Sequence, residues 1–413
     1  MDEVKVFGLL GEKLTHSYSK IIHEAIDGKY HLFEVSKDNF DDFMIKRDFD
    51  AINVTIPYKE MVIPYLDYID EKALKIKAVN TIVNKNGKLY GYNTDYDGFK
   101  YIIEKNGYDV NNKKCLILGT GGTSKTVKEV LTDLKASKVL KASRNGIDGA
   151  LKYDNINYSD YDYIINTTPV GMYPNINNSI IGNVNVKGII DVIYNPYRTL
   201  LIQENSDKLS TNGLDMLIYQ AIKAHEYFTG KSVCEDKIQE IRKILKKKFI
   251  NIVLIGMPGS GKTTISKMLS EKLNMEVLDT DLLIVKKEQK EISDIFAENG
   301  EKYFREIERE VIKEVSLNHE KIISTGGGVI LNKENVLNLK ANGLIIYLDR
   351  DIDNIVKDLE NRPLAKNKDD LIKLYNERIN LYKSSADYSI DNNNELEETV
   401  NKIILTVENF YNK

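Results

Sequence analysis

The sequence predicts an α/β protein of more than one domain, with parallel sheets covered by helices. Three observations carry this. The β-branched run from Phe249 through Ile255 enters Gly256-Met257-Pro258-Gly259-Ser260-Gly261-Lys262-Thr263, and a helical period leaves it from Thr264 to Leu273. A second apolar run, Cys115-Leu116-Ile117-Leu118, enters Gly119-Thr120-Gly121-Gly122-Thr123-Ser124 and again passes into a helix, to about Leu134. The chain has 413 residues, more than one hydrophobic core holds, so two or three domains are expected. A strand followed by a crossover helix is the unit from which parallel sheets are built.

Composition narrows the partners. The 58 basic and 62 acidic residues nearly cancel, which leaves no basic excess for nucleic acid. No apolar run approaches the roughly 18 residues of a membrane span, and Met1-Asp2-Glu3-Val4-Lys5 lacks a signal-peptide layout. Two distant cysteines, Cys115 and Cys234, make no disulfide framework, and the five histidines show no metal-ligand spacing. The expectation is a soluble cytoplasmic protein acting on small molecules, with no nucleic-acid or membrane partner. Its oligomeric state is not legible.

In chain order, Val4–Leu10 reads as a strand, followed by Leu14-Thr15-His16-Ser17-Tyr18-Ser19-Lys20 and a helical run from Ile21. Ser17 and Ser19 stand where hydroxyls either cap a helix or donate to a small anion, and capping is the local preference. The strand Asp50–Ile56 stops at Pro57 and passes to Lys59, which is either a surface charge or an acid/base group. Val79–Val83 and Lys88–Tyr92 flank Asn86-Gly87, a strong two-residue hairpin signal. The hairpin delivers the chain to Asn93-Thr94-Asp95, where Thr94 or Asp95 is the expected cap of a helix to about Lys105.

The glycine turn at 119–124 has the dinucleotide-binding pattern, with Ser124 where a third glycine or an alanine is usual. The next strand, Val139–Ala142, ends in Ser143-Arg144-Asn145 rather than in a carboxylate. An acidic group would repel a ribose 2′-phosphate and Arg144 would pair with one, so NADP(H) is expected over NAD(H). Tyr163–Pro169 and Gly188–Pro196 read as two more parallel strands, and a helix opens near Asn212-Gly213-Leu214 and reaches about Phe228. Gln220 on that helix is either a buried amide or a ligand contact.

At 256–263 the backbone N–H groups and Lys262 would face a polyphosphate, with the Thr263 hydroxyl offered to Mg²⁺. No flexible linker precedes this loop, since Ile238, Ile241, Ile244 and Leu245 keep helical spacing up to Lys246-Lys247-Lys248. Beyond it lie Val277-Leu278-Asp279-Thr280-Asp281, Arg305 on a helix, the strand and glycine triplet Ile322–Val329, Asn361-Arg362-Pro363-Leu364, and Arg378. Taken singly, Arg305 and Arg378 read as solvated helix charges.

As an ordered set these phrases resemble two families. Residues 1–245 are similar to shikimate dehydrogenase, in His16-Ser17-Tyr18-Ser19, Asn53-Val54-Thr55-Ile56-Pro57-Tyr58-Lys59, Ala78-Val79-Asn80-Thr81, Asn93-Thr94-Asp95, Asn166-Thr167-Thr168-Pro169-Val170-Gly171-Met172 and Asn212 through Gln220. Residues 249–413 resemble shikimate kinase. The resemblance implies an α/β substrate domain at 1–98 with 214–246, a Rossmann NADP-binding domain at 99–213, and a three-layer P-loop kinase domain at 247–413. It implies reduction of 3-dehydroshikimate with NADPH, then phosphorylation of shikimate with ATP and Mg²⁺.

The resemblance also implies roles. Ser17, Ser19, Thr55, Asn80, Tyr194 and Gln220 would bind the first substrate, and Lys59 with Asp95 would form the catalytic pair. Gly119, Gly121, Gly122, Ser143, Arg144, Thr167, Gly213 and Met216 would bind NADP. Gly259, Ser260, Gly261, Lys262, Thr263, Thr264 and Arg362 would hold ATP, with Thr263 and Asp279 on Mg²⁺. Asp281, Arg305, Gly326, Gly327, Gly328 and Arg378 would bind shikimate, Asp281 and Lys262 acting in catalysis. The lid, between about Asp358 and Lys366, is short and lacks an arginine that some members carry; either Lys357, Lys366 or Lys368 replaces it or ATP binds more weakly.

Overall fold

The structure is a computed structural model that describes residues 5–14, 17–360 and 368–412, the side chains of 148 and 358–360 excepted. The chain divides into two compact units. The first comprises Met1–Val170, Ile180–Tyr194 and Glu204–Arg242; the second comprises Gly171–Ser179, Asn195–Gln203 and Lys243–Lys413.

The first unit contains two six-stranded sheets. One runs in the order His31–Glu34, Phe7–Gly11, Ala51–Val54, Thr81–Lys85, Lys88–Tyr92, Tyr68–Ile69. Its first three strands are parallel, and Thr81–Lys85 pairs antiparallel with both Ala51–Val54 and Lys88–Tyr92. The hairpin turn is the expected Asn86-Gly87, with φ of 54° and 81° at its two residues. Both lie in the left-handed region that such a turn requires.

The other sheet is wholly parallel, in the order Leu209–Thr211, Gly188–Asp191, Tyr163–Asn166, Lys114–Leu118, Lys138–Ser143, Leu151–Lys152. The chain leaves Lys114–Leu118 to one side and returns on the other, which opens a crevice at the carboxyl ends of Lys114–Leu118 and Tyr163–Asn166. The helix Leu214–Thr229 lies along Thr94–Lys105, so closely that a Cβ on Gly98 would sit 2.7 Å from the Met216 carbonyl oxygen.

The second unit is built on a five-stranded parallel sheet, ordered Glu276–Asp279, Lys321–Ser324, Asn251–Ile255, Gly343–Asp349, Tyr388–Asp391. Its core gathers Val253, Ile255, Ile312, Ile323, Ile345 and Tyr347, the apolar face that the β-branched strand patterns announce. Within this unit Arg198 holds Asp387 through both guanidinium nitrogens, at 2.9 and 3.2 Å, and its backbone N–H reaches Ala341 O at 2.8 Å. Nothing in the spacing of the sequence marks that pair.

One boundary differs from expectation. Phe249 closes the helix Glu235–Phe249 instead of opening the strand, which begins at Asn251. Leu245 and Phe249 are both fully buried one turn apart, so helical packing outweighs the β-propensity of the run.

Candidate active sites

In the first unit, the strand Ala51–Val54 hands the chain to Thr55, whose N–H bonds Leu10 O at 2.9 Å. Four residues on, the Lys59 carbonyl accepts the Val79 N–H at 2.8 Å, and the Lys59 ammonium meets Asp95 Oδ2 at 2.6 Å. Both side chains are half-buried, the lysine 30% and the aspartate 18% exposed, so a small molecule can reach the pair.

Asp95 is available because it does not cap its helix, contrary to the expectation for Thr94 or Asp95. Asn93, in extended backbone, is the N-cap: its Oδ1 accepts the Tyr96 N–H and its Nδ2 donates to Ala78 O at 2.8 Å. Thr94 instead donates its N–H to Asn80 Oδ1 at 2.7 Å, and the Thr81 hydroxyl reaches the same oxygen at 3.0 Å. The Asn80 carbonyl is thereby committed to the fold, while its NH₂ has no acceptor among the described residues.

Ser17 Oγ accepts the Ser19 N–H at 3.3 Å in a local turn, and the helix Ser19–Asp27 has Tyr18 at its N-cap with no side-chain capping bond. Ser17 thus satisfies the N–H of the first helical residue, as the local preference for a capping role has it, while Tyr18, not Ser19, occupies the N-cap position. The Tyr194 ring stands edge-on to that of Tyr18, the residue between the two serines, at 6.0 Å, and burial, then Tyr18, raises its phenol pKa. Gln220 donates to Leu217 O at 2.9 Å, and its Cβ flanks Gly98, one helical turn from Asp95. Thr15 and His16 lie outside the described residues.

The crevice of the parallel sheet has the expected glycine turn. Gly119 has φ 109°, and a Cβ there would lie 2.8 Å from Thr167 Oγ1, which itself donates to Leu118 O at 2.7 Å. Gly121 and Gly122 face open space at the start of the helix Gly122–Asp133. The departure at Ser124 is accommodated: the residue is fully buried, and its hydroxyl turns back to Gly121 O at 2.6 Å, satisfying itself where a small residue is needed. Ser143 Oγ accepts the Gly146 N–H at 3.1 Å, and Arg144 is exposed beyond the strand end. At Gly213 a Cβ would fall 1.9 Å from Val192 O, so only glycine fits, and Met216 follows on the first turn of the next helix. These residues fit a dinucleotide with an extra phosphate: open glycines where a pyrophosphate would pass, and an accessible guanidinium where a ribose phosphate would lie.

In the second unit a cavity of about 990 Å³ is lined by Gly259, Gly261, Lys262, Thr263, Thr264 and both Asp279 and Asp281, among others. Gly259 and Gly261 have φ of 82° and 85°, which turns the loop around its own amides. Asn392 Nδ2 donates to Ser260 O at 2.6 Å and Arg350 to Gly259 O at 3.1 Å. The Lys262 ammonium is buried on the carbonyls of Gly256 and Met257, at 2.8 and 2.9 Å. Burial lowers its pKa to about 8 against the pull of Asp281 and Asp279.

Asp279 caps the helix Thr280–Glu288 through the N–H groups of Asp281 and Leu282, and its other oxygen accepts the Thr263 hydroxyl at 3.2 Å. A threonine and a single carboxylate suit Mg²⁺, which keeps waters and takes its remaining ligands from phosphates. Among the described residues no cluster of three or more His, Cys, Asp or Glu offers a complete metal cage.

The glycine triplet gathers the remaining groups. A Cβ on Gly326 would strike Asp281 Oδ1 at 2.6 Å, one on Gly327 the Pro258 ring at 2.7 Å, and one on Gly328 Arg305 Nη1 at 2.2 Å. Arg378 Nη1 donates to Gly327 O at 3.0 Å. Asp281, Arg305 and Arg378, spread over 97 residues of sequence from 281 to 378, thus converge on three residues without side chains. Burial, then Asp279, raises the Asp281 pKa, opposed by Lys262 and Arg305.

Several partners escaped the sequence reading. Glu308, 2% exposed, holds Arg305 at 2.9 Å, and Tyr382 donates to Gly327 O. Each stands one turn from a candidate arginine, at i+3 and i+4, so helical spacing could have found them. Arg350 and Asn392 carry no such signal. Arg362 and Lys366, with most of the lid, lie outside the described residues.

Fold and sites together define two nucleotide-using enzymes in one chain, a pyridine-nucleotide oxidoreductase and a phosphate-loop phosphotransferase. Residues 9–82 match the family model of the shikimate dehydrogenase substrate binding domain, and residues 258–408 match that of shikimate kinase. The chain belongs to the shikimate dehydrogenase family over its N-terminal 60% and carries a shikimate kinase domain behind it. Shikimate dehydrogenase (NADP(+)) of Clostridium beijerinckii is 41% identical over 272 residues, covering 60% of this chain and 100% of that one. Among solved structures, a chorismate mutase/shikimate 5-dehydrogenase fusion from Clostridium acetobutylicum aligns with TM-score 0.55 at 35% identity, over 59% of this chain and 98% of that one. Shikimate dehydrogenase 1 of Peptoclostridium difficile aligns with TM-score 0.54, also at 35% identity and the same coverage.

Proposed function

We propose that the first unit reduces 3-dehydroshikimate to shikimate with NADPH, and that the second phosphorylates shikimate at its 3-hydroxyl from ATP. One observation supports each half: the Lys59–Asp95 pair at 2.6 Å, and the glycine triplet on which Asp281, Arg305 and Arg378 meet.

In the first reaction the hydroxyls of Ser17, Ser19 and Thr55 hold the substrate carboxylate, with Tyr194 beside them. The Asn80 NH₂ and Gln220 orient the ring hydroxyls. The bound nicotinamide supplies the hydride. As the C3 carbonyl becomes an alkoxide, the Lys59 ammonium neutralises the charge and gives up a proton, while Asp95 fixes the lysine and accepts from the hydroxyl that forms. Gly119, Gly121 and Gly122 would hold the nucleotide, with Ser143 and Arg144 binding its 2′-phosphate and Thr167, Gly213 and Met216 contributing to the same cofactor site.

In the second reaction Arg305 and Arg378 grip the carboxylate with planar forks. Asp281 accepts the proton of the attacking hydroxyl, and Lys262 pairs its charge with the phosphates. Mg²⁺ held by Thr263 and, through water, by Asp279 would neutralise phosphate charge. Arg362 would reach the phosphates from the lid.

The proposed domain limits are 1–98 with 214–246, 99–213 and 247–413. The proposed compartment is the cytoplasm, supported by the two free thiols, Cys115 buried and Cys234 exposed. The direct test supplies the purified protein with 3-dehydroshikimate, NADPH, ATP and Mg²⁺, following NADPH absorbance and shikimate 3-phosphate together. Absorbance that does not fall refutes the first half, and a fall in absorbance with no shikimate 3-phosphate refutes the second.

Two further outcomes are expected. Arg144→Ala should raise the KM for NADPH roughly ten-fold or more and leave that for NADH nearly unchanged, since it removes only a 2′-phosphate contact. An unaltered NADPH-to-NADH ratio would take the residue out of cofactor choice. For Lys262, a phosphate anion beside the ammonium raises a pKa that burial has brought to about 8. ATP binding should therefore take up close to one proton at pH 9 and almost none at pH 6, where the lysine is already charged. Calorimetry in two buffers of different ionisation enthalpy reads this, and equal uptake at both pH values would exclude it.

A further inference from the structure

We propose that Tyr382 is a positioning residue of the kinase half: its phenol anchors the Gly327 carbonyl and so aims the Gly328 N–H at the substrate carboxylate. This rests on the reading that Arg305 and Arg378 bind that carboxylate.

The backbone groups of the triplet can be accounted for one by one. The Gly326 N–H goes to Thr280 Oγ1 at 3.1 Å, and its carbonyl accepts the Val329 N–H at 3.3 Å. The Gly328 carbonyl accepts the Leu331 N–H at 3.0 Å. The Gly327 carbonyl accepts twice, from Arg378 Nη1 at 3.0 Å and from the Tyr382 hydroxyl. The N–H groups of Gly327 and Gly328 are the two donors of the triplet with no acceptor among the described residues.

A trans peptide is planar, so the Gly327 carbonyl and the Gly328 N–H point in opposite directions. Whatever holds the carbonyl sets the direction of that N–H. Arg305 packs against the same residue, its guanidinium reaching the position a Gly328 Cβ would take. Guanidinium and amide thus form one donor array for an anion. Arg378 alone is a poor anchor for the carbonyl, because the proposed substrate competes for its guanidinium. Tyr382, whose hydroxyl also lies within hydrogen-bond reach of Arg378, is assigned no substrate contact in that reading. Its ring is fully buried and stacked on Tyr347 at 5.2 Å, and burial pushes its hydroxyl up to about 12, so it remains a donor at every working pH.

Tyr382→Phe keeps the ring and removes the anchor. The expected result is a rise in the KM for shikimate of roughly five-fold or more, the scale of one lost hydrogen bond, with the KM for ATP unchanged. Tyr347→Phe serves as the control. It deletes the hydroxyl of the stacked neighbour, which donates to Asp349 at 3.1 Å, and should leave the shikimate KM alone. No rise in Tyr382→Phe, an equal rise in both variants, a parallel rise in the ATP KM or an unfolded Tyr382→Phe would each overturn the proposal. Arg378→Ala separates the two levels. If its shikimate KM is normal, the reading of the site fails. If its KM rises while Tyr382→Phe is normal, only the role of Tyr382 fails.

Discussion

Lys59→Ala is expected to lower kcat for 3-dehydroshikimate reduction by about 10³-fold while shikimate phosphorylation by the same protein continues at its normal rate. The side chain does two things in the transition state that alanine cannot: it supplies a proton and it places positive charge beside the alkoxide. Its fold contribution is small, since the Lys59–Asp95 pair is half-open to solvent and exposed pairs add little stability. Asp95→Asn should lose a comparable factor, and the double variant little more than either alone, because groups that act as a unit are not additive. Steady-state NADPH oxidation measures all three. Near-normal turnover in Lys59→Ala, or full additivity in the double variant, would remove the pair from the chemistry.

Asp281→Asn is expected to reduce kcat for phosphorylation roughly 10²- to 10⁴-fold, with dehydrogenase activity intact and the KM for ATP within a few-fold of normal. The carboxylate is seated over Gly326, where any Cβ would displace it, and asparagine preserves that volume without the base. The pH profile adds a sign. Burial and Asp279 raise the Asp281 pKa, so the working carboxylate form is lost as pH falls through a value above the ordinary range for aspartate. The acidic limb of kcat/KM for shikimate should lie correspondingly high. It should disappear in the asparagine variant, whose residual rate has no such group to titrate. A variant with full turnover, or an acidic limb that survives the substitution, would assign the base elsewhere.

Much of the fold is legible in the chain because its signals are local. The Asn86-Gly87 turn, the glycine turns at 119 and 256–261, and the parallel strands all follow from backbone permission and apolar period. Candidate groups were legible as residue types at strand ends and helix starts. Their competition for backbone donors was not. Thr94 and Asp95 look as fit to cap a helix as Asn93 does, and only the hairpin's approach, which gives Asn93 an extended backbone, decides among them. The helix through Phe249 was lost for the same kind of reason, since burial of one face overrides the preference of a β-branched run.

From the chain alone came two nucleotide loops and a basic residue where a 2′-phosphate would lie, each written in residues close together, where spacing and geometry are nearly the same thing; the two sets of carboxylate-binding groups came from the family resemblance of widely separated phrases. The tertiary structure decided which groups meet: Lys59 with Asp95 across 36 residues, Arg305 with Glu308 and Gly328, Arg378 and Tyr382 on one carbonyl, Arg198 with Asp387 across 189. Such pairings depend on how sheets and helices pack, and packing answers to volume and burial summed over the whole unit, which no short stretch of sequence contains.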